Sequence, residues 1–263
     1  MMTQILIPVV TMAALGLTFG AGLAYALKIF GIEVDPKTAL IITKLPGANC
    51  GACGKAGCAG FADALVKGEA VPSGCPVTNS EARKAIAEIL GIEDTLKLKQ
   101  IAAVRCSGGN KAKDKYVYHG IKSCRAASLV FGGYKACAFG CLGFGDCVEV
   151  CPFDAITMGD DGLPHVDPER CTACGNCVKA CPKGLFTLIA EKNVYYVACS
   201  STDPGGAKAK VCSASCIACK KCEKACPVSA IKVDANLSRF DYQKCQNIGK
   251  CFEVCPTKVI KKR

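Results

Sequence analysis

The chain has 263 residues, 23 of them cysteine, with 6% aromatic residues and a formal net charge of +11. So high a cysteine share belongs mainly to short secreted chains stapled by disulfides, and this chain is too long and too regularly spaced for that class. Two histidines (His119, His165) and no tryptophan leave no room for His-rich metal sites or Trp-lined pockets, so small modules organised around something other than apolar packing are expected.

The first 27 residues carry no charge, and the run from Ile5 to Phe30 is almost wholly apolar. As a helix it is long enough to cross about 30 Å of hydrocarbon. A signal peptide, for which Ala24-Tyr25-Ala26 would be the cleavage site, needs a basic start and a shorter apolar stretch, and neither is here. Residues 1–31 therefore read as a single transmembrane anchor. Lys28 at its C-terminal end and Lys37 and Lys44 beyond it put the rest of the chain on the cytoplasmic side of the cytoplasmic membrane. Gly16 and Gly20 form a G-x-x-x-G that lets another helix approach.

Residues 32–90 read as a small helical module with one four-cysteine set, Cys50, Cys53, Cys58 and Cys75. Helical spacing is expected from Phe61 to Val66 and from Glu81 to Leu90. The remainder is an internal duplication, residues 91–190 and 191–263. Val104-Arg-Cys106 matches Val197-Ala-Cys199, and Cys137-x3-Cys141 matches Cys212-x3-Cys216. Gly140–Ile156 then matches Ser215–Ile231, and Cys171–Pro182 matches Cys245–Pro256. Each copy holds two Cys-rich turns, each followed by a short helix, joined by β-prone stretches such as Leu163 to Val166. The fold class expected is α+β: a membrane helix, the four-Cys module, and two tandem bacterial two-cluster ferredoxin-like modules.

Cys171, Cys174, Cys177 and Cys181-Pro182, like Cys216, Cys219, Cys222 and Cys226-Pro227, form complete bacterial ferredoxin runs. Three thiolates within eight residues wrap one face of an iron–sulfur cubane, and the fourth, set off by proline, ligates the other cluster of the pair. Zinc ribbons also use C-x2-C pairs but seldom in such series, and disulfides are disfavoured in the cytoplasm. Two runs lack the middle cysteine. Cys141, Cys147 and Cys151 flank Phe144, where Cys137 is the candidate replacement. Cys245, Cys251 and Cys255 flank Ile248, where Cys212 or Cys199 would serve, or the site would hold a three-iron cluster. Twenty-three cysteines make five sets of four with three over. About five [4Fe–4S] clusters is the main count. Cys106, Cys124 and one of Cys199 or Cys212 remain, either as ligands of a sixth cluster or as buried small side chains. No dinucleotide, P-loop or haem motif is present, and neither histidine sits in a catalytic pattern, so no catalytic residue is assigned.

The run LPGANCGACGKAGCAGFADALVKGE…GCP (Leu45 to Pro76), after one apolar helix and before ferredoxin repeats, resembles the B subunit of the Rnf complex over essentially the whole chain. The resemblance implies a membrane-bound ferredoxin:NAD⁺ oxidoreductase that couples electron flow to Na⁺ or H⁺ translocation. A chain of this kind would take electrons from soluble ferredoxin and relay them to membrane subunits, with NAD, flavin and ion sites on those partners. The alternative is a membrane-tethered polyferredoxin that reduces a regulator or a hydrogenase-type enzyme.

Charge is uneven along the chain. Residues 199–263 hold 13 basic and 5 acidic residues, whereas 136–198 hold 4 and 8. Lys220, Lys221 and Lys224 make the C-terminal repeat a candidate dock for an acidic ferredoxin. A [4Fe–4S]²⁺ core on four thiolates carries net negative charge, so five of them bring the loaded chain close to neutral. Nucleic acid is not needed to explain the lysines.

Overall fold

The uncharged N-terminal run forms one helix, α1 (Met2–Phe30), with Lys28 in its last turn. Its stretch Val9–Ile29 is long and apolar enough to cross a membrane. Leu17, Phe19 and Leu27 are each at least 70% exposed. Such a surface suits lipid or another helix rather than water. The computed structural model describes residues 2–30, 35–93 and 98–263.

Helix α2 (Pro36–Lys44) starts where the Asp35 carboxylate accepts a 2.8 Å bond from the Lys37 N–H, with Pro36 preset for the first turn. Its β-branched Thr-Ala-Leu-Ile-Ile-Thr run hid it from sequence reading. Helices α3 (Gly57–Val66) and α4 (Ser80–Leu90) cover the two expected helical stretches. Helix α4 is bounded by Asn79, which caps the Ala82 N–H at 2.7 Å, and by Gly91 in the left-handed region. The three pack around Ile41, Leu45, Phe61, Leu65 and Ile86, with Cys75 in the same core.

The duplication is visible in the strand pairing. In the first copy β1 (Gln100–Val104) pairs antiparallel with β4 (Phe186–Ala190) around an inner hairpin, β2 (Ile156–Met158) with β3 (Pro164–Val166). In the second, β5 (Tyr195–Val197) pairs with β8 (Ile260–Lys262) around β6 (Ile231–Asp234) and β7 (Leu237–Phe240). Four short helices, α6 (Asp146–Glu149), α7 (Asn176–Ala180), α9 (Lys221–Ala225) and α10 (Lys250–Glu253), start one residue before Cys147, Cys177, Cys222 and Cys251. Helix α5 (Cys124–Leu129) lies between Cys106 and Cys137, and α8 (Gly205–Val211) between Cys199 and Cys212. The content is α+β, as expected.

Each copy has a small core to which the cysteines themselves belong. Ile101, Val104, Ile156 and Phe186 pack with Cys147, Cys171 and Cys177. Val197, Ile231, Leu237, Val259 and Ile260 pack with Cys199, Cys216, Cys222 and Cys251. So few large apolar side chains leave the fold dependent on what the thiols hold, since ligand binding free energy becomes folding free energy.

Candidate metal centres

All four Cys-rich turns share one backbone course. The residue after the second position of each run is left-handed: Gly143, Ala173, Ala218 and Asn247, with φ of 73°, 57°, 55° and 57°. Two residues on, Gly145, Gly175, Lys220 and Gly249 are left-handed again. The third residue beyond each run's last cysteine repeats the pattern, at Asp154, Gly184, Ser229 and Lys258. A non-glycine residue pays about 1 kcal/mol for such a conformation. Its recurrence at Ala173, Ala218 and Lys220 shows that the turn shape matters more than that cost. Phe144 and Ile248 sit on this same backbone, at the positions that Cys219 and Cys174 occupy in the matching runs.

Three cavities are each lined by four cysteines. Cys124, Cys141, Cys147 and Cys181 line the first. Cys151, Cys171, Cys174 and Cys177 line the second. Cys106, Cys137, Cys199 and Cys212 line a third, to which each ferredoxin copy gives two. The thiol missing at Phe144 is therefore matched by Cys124, not by Cys137, which belongs to the third cavity. Cys199 and Cys212 lie there too, and neither reaches Ile248. A fourth cavity has Ile248 at its wall and, among the described residues, only three cysteines, Cys226, Cys245 and Cys251. Cys216 and Cys255 each lie within charge range of Cys222, and Cys219 belongs with them by its place in the run. Cys50, Cys53, Cys58 and Cys75 surround the loop entering α3, where the Asn49 side chain caps the Cys58 N–H at 2.8 Å. Every cysteine thus falls into one of six sets.

Cys124 is set in place by the acid that opens α6. The Asp146 carboxylate accepts bonds from the Cys124 N–H at 2.7 Å, the Arg125 N–H at 3.0 Å and the Ser123 hydroxyl at 2.9 Å. Burial would raise its pKa, but these donors hold it below the ordinary carboxylate range. Phe144 packs between Tyr118 and Tyr134, with ring centroids 5.7 and 5.6 Å away, so the loop carrying Cys124 folds over that corner. Sequence reading missed this pairing because Cys124 stands 17 residues before Cys141 with no motif between them.

The donor set fits iron–sulfur clusters better than single ions. Among the described residues, no three Cys, His, Asp or Glu side chains converge tightly enough for one metal ion. Backbone N–H groups point at sulfur: Leu185 at Cys181 (3.4 Å), Ala230 at Cys226 (3.3 Å) and Ala102 at Cys171 (3.5 Å). The Ser238 hydroxyl lies 3.5 and 3.3 Å from the Cys216 and Cys222 sulfurs. Burial pushes the Cys141, Cys147 and Cys177 thiols up to about 12 and Cys137 and Cys251 to about 11. Loading such a site therefore releases protons. The Cys226, Cys245 and Cys251 site is the exception to the fit, one thiolate short of a four-cysteine cubane.

Comparison with known proteins agrees with this layout. A model of an Fe-S cluster module matches residues 45–77. A 4Fe-4S dicluster domain matches residues 136–185 and again 215–259, and a second dicluster model matches 170–231. The chain is 45% identical over 261 residues to the B subunit of the Na(+)-translocating ferredoxin:NAD(+) oxidoreductase complex of Acetobacterium woodii, covering 99% of this chain and 78% of the relative. It belongs to the B-subunit family of ion-translocating oxidoreductase complexes. It is also 43% identical to the B subunit of the ion-translocating oxidoreductase complex of Methanosarcina acetivorans, over the whole of both chains. With the B subunit of the proton-translocating ferredoxin:NAD(+) oxidoreductase complex of Clostridium ljungdahlii it shares 42% over 99% of this chain and 93% of that one. As a member of this family, the chain unites an apolar N-terminal helix, an Fe-S module and two dicluster ferredoxin domains. The resemblance drawn from Leu45–Pro76 is borne out.

Proposed function

We propose that the chain is the membrane-anchored electron-relay component of an ion-translocating ferredoxin:NAD⁺ oxidoreductase, with six cluster sites in a row. The observation that carries this reading is that three cavities are each lined by four cysteines, in sets that adjoin one another. Burial is the main cause of each raised thiol pKa, and beyond it the charges name the neighbours. Cys50 acts on Cys174, Cys147 on Cys177, Cys106 on Cys141, Cys216 on Cys199, and Cys222 is coupled to Cys251. The row runs from the four-Cys module beside the membrane helix, through the first copy and the bridging set, to the second copy.

When bound, iron–sulfur clusters supply one-electron redox steps with potentials set by hydrogen bonds to sulfur and by exposure. The chain's part is to hold them close together, keep water from most thiols, and direct N–H and O–H donors at sulfur. Helix α1 tethers the row at the membrane, with the cysteine modules on the cytoplasmic side following Lys28, Lys37 and Lys44. Flavin, NAD and ion sites belong to partner subunits, because the chain carries no motif for them.

Soluble ferredoxin docks on the second copy. Among the described residues Cys219 is the one exposed cysteine, and the exposed Lys220, Lys221 and Lys224 lie beside it. A basic collar around an accessible sulfur steers an acidic donor. The triple variant Lys220→Glu, Lys221→Glu, Lys224→Glu is expected to slow ferredoxin oxidation at least tenfold at low ionic strength and much less at high salt. Stopped-flow oxidation of reduced ferredoxin by the membrane complex checks this, and a rate unchanged at low salt rejects the dock.

A further inference from the structure

We infer that the site made by Cys226, Cys245 and Cys251 holds a three-iron [3Fe–4S] cluster, unlike the other five. This rests on the reading that the cysteine sets hold iron–sulfur clusters, and concerns only what the last set can complete. Its turn is built like the others, with Asn247 and Gly249 both left-handed. Ile248 occupies the corner that Cys174 fills in the matching run of the first copy. A branched hydrocarbon side chain offers no donor to a fourth iron, whereas three thiolates suffice for three irons.

Among the described residues no fourth thiol lines this cavity. In the first copy the thiol missing at Phe144 is replaced by Cys124, carried in the 30 residues between Cys106 and Cys137. The matching segment between Cys199 and Cys212 has 12 residues and contains no cysteine. Both polar atoms of the Asn247 side chain are engaged: Oδ1 accepts from the Val194 N–H at 3.0 Å and Nδ2 donates to the Lys192 carbonyl at 2.7 Å. The Tyr195 ring walls the cavity and packs at a tilt against Phe252, with centroids 5.8 Å apart, and its hydroxyl lies against Gly249. The site lies at the end of the row farthest from the membrane module, so the relay ends in a cluster of another type, and cluster type sets potential.

The test is quantitative EPR on the full chain purified anaerobically in detergent. In the oxidised protein [4Fe–4S]²⁺ clusters are diamagnetic, while [3Fe–4S]⁺ has half-integer spin. The expected result is a signal integrating to about one spin per chain on a total near 23 irons, which vanishes when dithionite delivers one electron to form [3Fe–4S]⁰. Ile248→Cys supplies the fourth thiolate and should abolish the signal while iron rises by about one. Cys245→Ser leaves two thiolates and should also abolish it, with loss of about three irons. No such signal in the wild type, whether with about 20 or about 24 irons, overturns the proposal and leaves the five other sites standing. Persistence of the signal in either folded variant also overturns it, because the signal would then come from damage elsewhere. An iron content far below 20 rejects the underlying cluster reading itself.

Discussion

Cys124→Ser is expected to leave one site with three thiolates, lowering the iron content of the chain by at least about one, and to slow electron flow between the two ends of the row. If Cys124, Cys141, Cys147 and Cys181 form one set, three thiols would then face one cavity without a fourth, the same shortage as at Cys226, Cys245 and Cys251, so the site would keep three irons at most. The site is second from the membrane module in the first copy, so its alteration interrupts the path from the bridging set and the second copy to Cys174 and Cys50. Reduced ferredoxin should still bleach the distal clusters, while reduction of the proximal ones should slow. A second substitution separates this from simple misfolding. Phe144→Cys places a thiol on the run position that Cys219 occupies in the other copy, so Cys124→Ser with Phe144→Cys should regain the lost irons. Phe144→Cys should not rescue Cys137→Ser, whose missing irons belong to the bridging cavity. If Phe144→Cys rescued Cys137→Ser instead, the pairing of Cys124 with Cys141 would be wrong.

The contrast between Cys124 and Cys137 shows where sequence reading reached and where it stopped. Local spacing encodes a ferredoxin turn, because three ligands lie within eight residues and the backbone course is short. The runs at Cys171–Cys181 and Cys216–Cys226, the duplication and the membrane helix were legible for that reason. Cys124 reaches its site through a helix cap at Asp146 and an aromatic packing of Tyr118, Phe144 and Tyr134. None of these partners is adjacent in sequence, so spacing could suggest only the nearest spare thiol, Cys137. The bridging set was equally hidden. Its cysteines come two from each copy, joined where Ser107 Oγ lies 3.0 Å from both the Ala198 and the Ala214 carbonyl. Twenty-three cysteines divide as five sets of four with three over, but sequence spacing alone does not say which thiols line which cavity.

The bridging set also has a counter-charge that composition did not disclose. Lys208 is 1% exposed, and its ammonium donates to the Ser201 carbonyl at 3.2 Å and the Asn236 carbonyl at 2.5 Å. Among the described residues it makes no ion pair, yet it lines the cavity of Cys106, Cys137, Cys199 and Cys212. A buried cation without a partner costs several kcal/mol, so the negative charge held by four thiolates is its natural counter-ion. Its field is already felt at Cys199, where burial raises the thiol pKa and Lys208 opposes the rise. Lys208→Met keeps the bulk and deletes the charge. Each added electron makes the site more negative, so the loss of a positive neighbour should lower the site's reduction potential. For unit charges on the order of 8 Å apart at an effective dielectric of about 20, the change is about 2 kcal/mol, or roughly 90 mV for a one-electron couple. A step that much more uphill in the middle of the row disfavours its occupancy by about 30-fold, slowing transfer in both directions while leaving iron content unchanged. Redox titration followed by EPR reads the potential directly. A potential that stays put in a fully loaded Lys208→Met chain would show that the Ser201 and Asn236 carbonyls, rather than the thiolate cavity, are what the buried lysine serves.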